Sequence, residues 1–93
     1  MKKWNFITNH GLILQYISRN PQCTMREIAE VLNVAERSIQ RVLEDLEAEG
    51  YITWKRTGKG NIYEINYNQG LKHDLTKDTL VRDLLALLSS NRT

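Results

Sequence analysis

The sequence predicts a mainly α-helical fold with one small β-hairpin and a further helix near the C-terminus. Three observations lead to this fold class. Apolar residues recur at helical spacing between residues 10 and 49, and their period changes to two after Gly50. A leucine-rich stretch then begins at Leu80. With 93 residues, of which 41% are hydrophobic and 26% charged, we expect a globular chain with one modest core and no large enclosed active site.

The stretch around which the chain is organised, residues 25–44, is predicted to form two helices joined by a tight turn. Thr24 and Glu27 fit a capping box at the start of the first helix. Asn33 lies where the chain must turn, and asparagine tolerates a left-handed backbone. This arrangement is typical of a helix-turn-helix. The second helix, expected over residues 35–49, has an apolar stripe formed by Ile39, Val42, Leu43 and Leu46.

The outward face of this second helix carries the side chains that predict a function. Residues 35–50 contain two arginines and five acids, but the arginines come early and four of the acids come late. A helix that enters the major groove with its N-terminal end therefore brings its basic end to the DNA. Arginine matches the edge of guanine and glutamine that of adenine. The residues predicted to contact DNA here are Arg37, Ser38, Gln40 and Arg41.

Two of these features have a second interpretation. The charges fit a solvated helix face as well, with pairs such as Arg41 and Asp45. Glu36 would either accept a hydrogen bond from a cytosine amino group or simply favour the positive start of the helix, and we favour the helix start.

A β-hairpin is predicted for residues 51–67, directly after the two helices. Its strands are expected over residues 51–56 and 62–67, with a turn of five residues between them. A hairpin in this position is the wing of a winged helix-turn-helix. Trp54 would either pack under the wing or stack on a partner, and we favour packing. The basic residues of the hairpin, which suit a phosphate or minor-groove contact, are Lys55, Arg56 and Lys59.

The C-terminal residues 68–93 are predicted to begin as a polar link and to end in a leucine-rich helix. This helix would either pack on the first helix of the same chain, expected over residues 10–19, or pack against the same helix of a second subunit in a dimer. We favour the dimer, because an exposed apolar patch of this kind is usually an interface. Residues 1–67 would then form the DNA-binding domain with an N-terminal arm. The predicted dimer interface consists of Leu80, Leu84, Leu87 and Leu88.

Other classes of site and location are not indicated. Cys23, His10 and His73 are too widely separated to give a metal-ligand spacing, and we expect neither a metal nor a cofactor. No catalytic arrangement or phosphate-cradling glycine motif is present, so we do not expect an enzyme. The first residues lack the features of a signal peptide and no apolar run of membrane-spanning length occurs. We expect a cytoplasmic protein.

Three segments of the sequence resemble a known family. They are Thr8-Asn9-His10, the Glu36-to-Arg41 segment within LNVAERSIQRVLEDLEAEGYI, and Leu71-Lys72-His73. Together with GKGNIYEI, which follows the second of them, they are similar to small stand-alone MarR-like winged helix-turn-helix regulators. The resemblance implies a dimeric DNA-binding regulator with its recognition helix in the major groove and its wing on the flanking backbone. Asn33 departs from the usual turn glycine, and the wing has a lysine where arginine is common.

The function predicted from the sequence is therefore a sequence-specific regulator of transcription, a repressor, that binds double-stranded DNA as a homodimer. A protein–protein adaptor is the alternative, favoured by the acidic half of the second helix. RNA binding is a further alternative, for which Trp54 and Tyr51 would have to supply the stacking surface. No operator sequence and no small-molecule effector follow from the sequence.

Overall fold

The structure of the protein, a computed structural model, describes residues 7–58 and 60–89. The N-terminal arm, apart from Ile7, lies outside the described residues, and so does Lys59. None of the described helices is long and apolar enough to cross a membrane. The order of elements confirms the predicted fold class: α1 (Asn9–Arg19), α2 (Met25–Leu32), α3 (Glu36–Ala48), β1 (Ile52–Thr57), β2 (Gly60–Ile65) and α4 (Val81–Leu88).

The boundaries of α2 are set by two local devices that the sequence predicts. The Thr24 hydroxyl accepts a hydrogen bond from the Glu27 backbone N–H at 3.0 Å, and the Thr24 N–H donates to Glu27 Oε1 at 3.2 Å. At the other end Asn33 adopts the left-handed conformation, with φ 57° and ψ 48°. The turn into α3 therefore needs no glycine.

The predicted apolar stripe of α3 lies at the centre of the core. Ile39 and Leu43 are both fully buried. Ala29 of α2 is also buried, at the position where the two helices pack together and a small side chain is required. The core joins all four helices and the hairpin, and its buried members are Ile13, Leu14, Ile17, Cys23, Met25, Ile28, Ala29, Ile39, Val42, Leu43, Leu46, Ile52, Tyr63, Val81 and Leu85.

The hairpin differs from the prediction at its turn. The five-residue turn expected at residues 57–61 is wrong, because Thr57 pairs with Gly60 and only two residues separate the strands. Asn61 belongs to β2, where its side chain is buried and donates a hydrogen bond to the Tyr63 hydroxyl at 2.9 Å. A two-residue loop is the commonest connection in hairpins because its twist matches that of the strands.

The segment between the hairpin and α4 is tied to the domain by backbone hydrogen bonds. Lys72 N–H donates to the Tyr51 hydroxyl at 2.9 Å. Val81 N–H donates to the Gln69 carbonyl at 2.8 Å. α4 then packs on α1, with Val81 and Leu85 buried in the core. Intrachain packing of α4, one of the two alternatives drawn from the sequence, is thus present. It does not use Leu87, which is 75% exposed.

Candidate nucleic-acid interface

The outward face of α3 presents the side chains that the sequence predicts as DNA contacts. Arg37, Ser38, Gln40 and Arg41 are all exposed, because the opposite face of the same helix forms the core. Gln40 is not free, since its side-chain amide donates to Glu44 Oε2 at 3.2 Å. Reading an adenine would require this hydrogen bond to break.

The two arginines of α3 are unpaired within the described residues. No ion pair of Arg37 or Arg41 occurs there. The pair of Arg41 with Asp45 that a solvated face would form is absent, because Asp45 instead lies 2.8 Å from His10 Nε2 on α1. Asp45 is thereby held towards α1, and the guanidinium groups of Arg37 and Arg41 stay available to a ligand.

A groove separates the start of α3 from the hairpin, and it contains a basic residue that sequence reasoning missed. Arg26, the second residue of α2, lies in this groove with Glu36 and Arg56. Arg26 Nε is 3.9 Å from Glu36 Oε1. A basic residue at the start of a capped helix next to the recognition helix is the signal that could have found it. Among the described residues, the groove is lined by Thr24, Met25, Arg26, Glu36, Arg56, Thr57, Gly60 and Asn61.

The structure separates the two basic strand residues that the sequence placed together. Successive side chains of a strand point to opposite faces. Arg56 therefore lines the groove beside α2 and α3, whereas Lys55 lies on the outer face of the hairpin, opposite Ile62. Only Arg56 joins the basic surface at the start of α3. The contribution of Lys59 stays a prediction.

The hairpin is held against the loop that precedes α2. Tyr63 N–H donates to the Pro21 carbonyl at 3.0 Å. Gly60 has φ +140°, and a Cβ at this position would lie 3.2 Å from the Thr24 methyl group. The Trp54 ring stacks on Tyr63, with 6.1 Å between the ring centroids, so the predicted packing of Trp54 is confirmed. These contacts fix the position of the wing relative to α2.

Cys23, in the loop before α2, and Tyr63, on β2 of the wing, are buried and are protonated at neutral pH. Burial, with a smaller contribution from the Glu27 carboxylate, raises the pKa of the Cys23 thiol from 9.0 to about 11. Burial likewise raises the pKa of Tyr63 to about 12. The thiolate is the reactive form of cysteine, so Cys23 is a structural residue here. Among the described residues, no group of three or more His, Cys, Asp or Glu side chains is placed to hold a metal.

Comparison with known protein families agrees with this geometry. Residues 8–53 match the model of a family described as winged helix-turn-helix DNA-binding. The chain carries a winged helix-turn-helix domain. The match covers α1, α2, α3 and the beginning of β1, which are the elements that build the exposed face of α3. The match supports DNA binding by this domain, while the MarR-like subclass stays a prediction.

A curated relative extends over more of the chain. The winged helix-turn-helix protein is 36% identical, over 67 residues, to a riboflavin kinase of Pyrococcus furiosus. The aligned part is 67% of this chain and 31% of the relative. The chain therefore spans about a third of the length of the curated protein that it matches.

Proposed function

We propose that this winged helix-turn-helix protein is a sequence-specific regulator of transcription, a repressor, which binds double-stranded DNA in the cytoplasm as a homodimer. The observation that carries the proposal is the exposed face of α3. Its N-terminal half presents Arg37, Gln40 and Arg41 on a helix whose other face is the core. These are the side chains that bind guanine and adenine edges in the major groove.

The orientation of α3 relative to its neighbours supports an approach by its N-terminal end. Glu44, Glu47 and Glu49 occupy the other half, and Asp45 is bound by His10. A duplex that meets the first half of α3 avoids most of this negative charge. In that orientation Arg26 and Arg56 lie beside the helix start, where flanking phosphates pass.

The homodimer is proposed from the apolar surface that α4 leaves uncovered. Leu87 is 75% exposed, and Leu80, Leu84 and Leu88 are half-buried. A second copy related by a two-fold axis would cover them and present two recognition helices. The half-sites should then be about ten base pairs, or a multiple of ten, apart.

The two alternatives predict different behaviour. RNA binding by stacking is disfavoured, because Trp54 stacks on Tyr63 and the Tyr51 hydroxyl accepts a hydrogen bond from Lys72. An adaptor that uses the acidic half of α3 would leave Arg37 and Arg41 without a role. No kinase activity is proposed, since the alignment covers 31% of the relative.

The test is selection of binding sites from random duplexes, followed by titration of variants on the selected site. Arg41→Ala should cost about 1–3 kcal/mol of binding free energy on that site and relax its sequence preference. Lys59→Ala should lower the affinity for all duplexes alike. It should also make the slope of log K against log salt shallower, by the amount expected for about one lost phosphate contact. Lys77→Ala, at an exposed position of the 66–80 segment, is the matched control for loss of charge.

Two results would count against the proposal. If Arg41→Ala lowered the affinity equally for every duplex, α3 would not read bases. For the dimer, Leu87→Asp should give monomers by light scattering, whereas Leu75→Asp, at a leucine that is 88% exposed outside α4, should not. A monomeric unaltered protein at concentrations of roughly tens of micromolar would exclude an interface of useful strength.

A further inference from the structure

One acidic side chain lies in the groove that otherwise offers arginines to DNA. Glu36 is the first residue of α3, and its carboxylate shares the groove with Arg26 and Arg56. The side chains of Arg26 and Glu36 are 79% and 56% exposed, and 3.9 Å separates Arg26 Nε from Glu36 Oε1. The other nearby acid, Glu27, is engaged in the capping box with Thr24.

A carboxylate in this position competes with a phosphate for the same donors. Guanidinium groups bind carboxylate and phosphate oxygens with the same planar arrangement of N–H donors. A duplex lying on the first half of α3 would bring its backbone to the groove. A phosphate that binds Arg26 competes with Glu36 for the guanidinium, and the negative charge of Glu36 remains close to the phosphate.

We propose that Glu36 is a specificity-determining residue, which lowers the affinity of the groove for the DNA backbone so that binding depends on base contacts. The inference rests on the proposed function and deepens it. Non-specific affinity comes almost entirely from phosphate contacts, which carry no sequence information. A residue that weakens these contacts on every sequence increases the share of the affinity that Arg37, Gln40 and Arg41 supply. Discrimination by such a repulsive element is a general means of specificity.

The proposal differs in its consequences from the two roles that the sequence suggested for Glu36. If Glu36 served only the positive start of α3, its replacement would lower stability and leave DNA affinity unchanged. If it accepted a hydrogen bond from cytosine, its replacement would weaken the preferred site alone. An electrostatic competitor predicts instead a gain in affinity on all duplexes.

The experiment measures the affinity of Glu36→Gln for random duplex and for the selected site over a range of salt concentrations. Random duplex should bind about 1.5 to 5 times more tightly, the range expected when an exposed ion pair is released. The plot of log K against log salt should steepen by about 0.9 for one additional phosphate contact. The ratio of specific to random affinity should fall.

Two further variants make the result specific to the groove. Glu47→Gln removes the same charge from the other end of α3, away from the groove residues, and should give a smaller gain. Arg26→Ala combined with Glu36→Gln should abolish the gain, because the freed guanidinium is then missing. Thermal melting of each variant confirms that it is folded under the conditions of the titration.

The outcomes separate this inference from the proposed function. Equal effects of Glu36→Gln and Glu47→Gln would overturn the inference, as would a loss confined to the selected site. Both results presuppose that the unaltered protein binds duplex DNA. Failure of the unaltered protein to bind any duplex would overturn the proposed function itself.

Discussion

The two helices of the motif begin in different ways. α2 starts with a complete capping box, in which Thr24 and Glu27 satisfy each other's backbone groups. α3 starts after Ala35, whose side chain caps nothing. α3 is nevertheless the longer helix, with 13 residues against 8. Because no cap stabilises its start, the stability of α3 must come from the burial of its four apolar side chains in the core.

The difference shows that a binding helix can be held in place although no side chain caps its N-terminus. α2 is fixed by local hydrogen bonds, while α3 is fixed by tertiary packing of its inner face. No side chain of residue 35 occupies the N–H groups at the start of α3, and the adjacent residues Glu36 and Arg37 are exposed. The end that we propose to meet DNA is therefore an exposed end without a side-chain cap.

The largest expected effect tests whether packing holds α3. Leu43→Ala should lower the free energy of unfolding by about 2–5 kcal/mol, because the side chain is fully buried and leaves a cavity. Chemical denaturation measures the change. Leu75→Ala, at a residue that is 88% exposed, should change the free energy of unfolding by less than about 0.5 kcal/mol. Similar values for the two variants would contradict the comparison.

A smaller effect concerns the loop before α2, in which Cys23 is buried, whereas Ala35 before α3 is exposed. Unfolded Cys23 ionises near pH 9.0, whereas in the folded chain its pKa is raised to about 11. The unfolded state thus loses its proton first, and the free energy of unfolding falls as pH rises from about 9 to about 11. Below pH 9 the contribution is complete. Its upper size is on the order of 3 kcal/mol.

Denaturation midpoints between neutral pH and about pH 11 measure this alkaline loss. Cys23→Ala should reduce it, and Tyr63, whose pKa is raised from 10.0 to about 12, should account for a further loss between about pH 10 and pH 12. Tyr67→Phe is the control, since Tyr67 is 42% exposed. An unchanged pH dependence in Cys23→Ala would assign the loss to other groups.

The smallest effects come from exchanging the two helix starts. Thr24→Ala should lower the free energy of unfolding by about 1 kcal/mol, because the capping hydroxyl is lost, and Thr24→Ser should restore most of it. Ala35→Ser should raise it by about 0.5 kcal/mol or more, since it supplies the missing cap. Thermal melts of the three variants give the order. A stabilising Thr24→Ala would show that the capping box is not what fixes α2.

The features that the sequence predicts well depend on neighbouring residues. The left-handed Asn33 and the capping box of Thr24 with Glu27 are set within a few positions of the chain. The buried face of α3 follows from helical spacing alone. Such patterns are visible in one sequence, because local preference and the fold agree.

The features that the sequence does not predict depend on packing between distant segments. Arg26 and Glu36 meet because α2 and α3 cross, and His10 meets Asp45 across 35 positions. The turn of the hairpin is shorter than expected because Asn61, a typical turn residue, finds a buried partner in Tyr63. Each of these contacts is specified by the tertiary fold and has no signature in spacing or composition.

The two edges of the hairpin are protected by different means, with a consequence for handling the protein. β2 donates its Tyr63 N–H to Pro21, whereas β1 has no strand on its other side within the described residues. An open edge is a template for pairing with a second chain, and charged side chains such as Lys55 and Arg56 discourage it. We therefore expect Lys55 and Arg56 to reduce strand pairing between copies of the protein, in addition to any role in DNA binding. A variant that loses both charges would tend to aggregate, so its failure to bind DNA would reveal nothing about recognition.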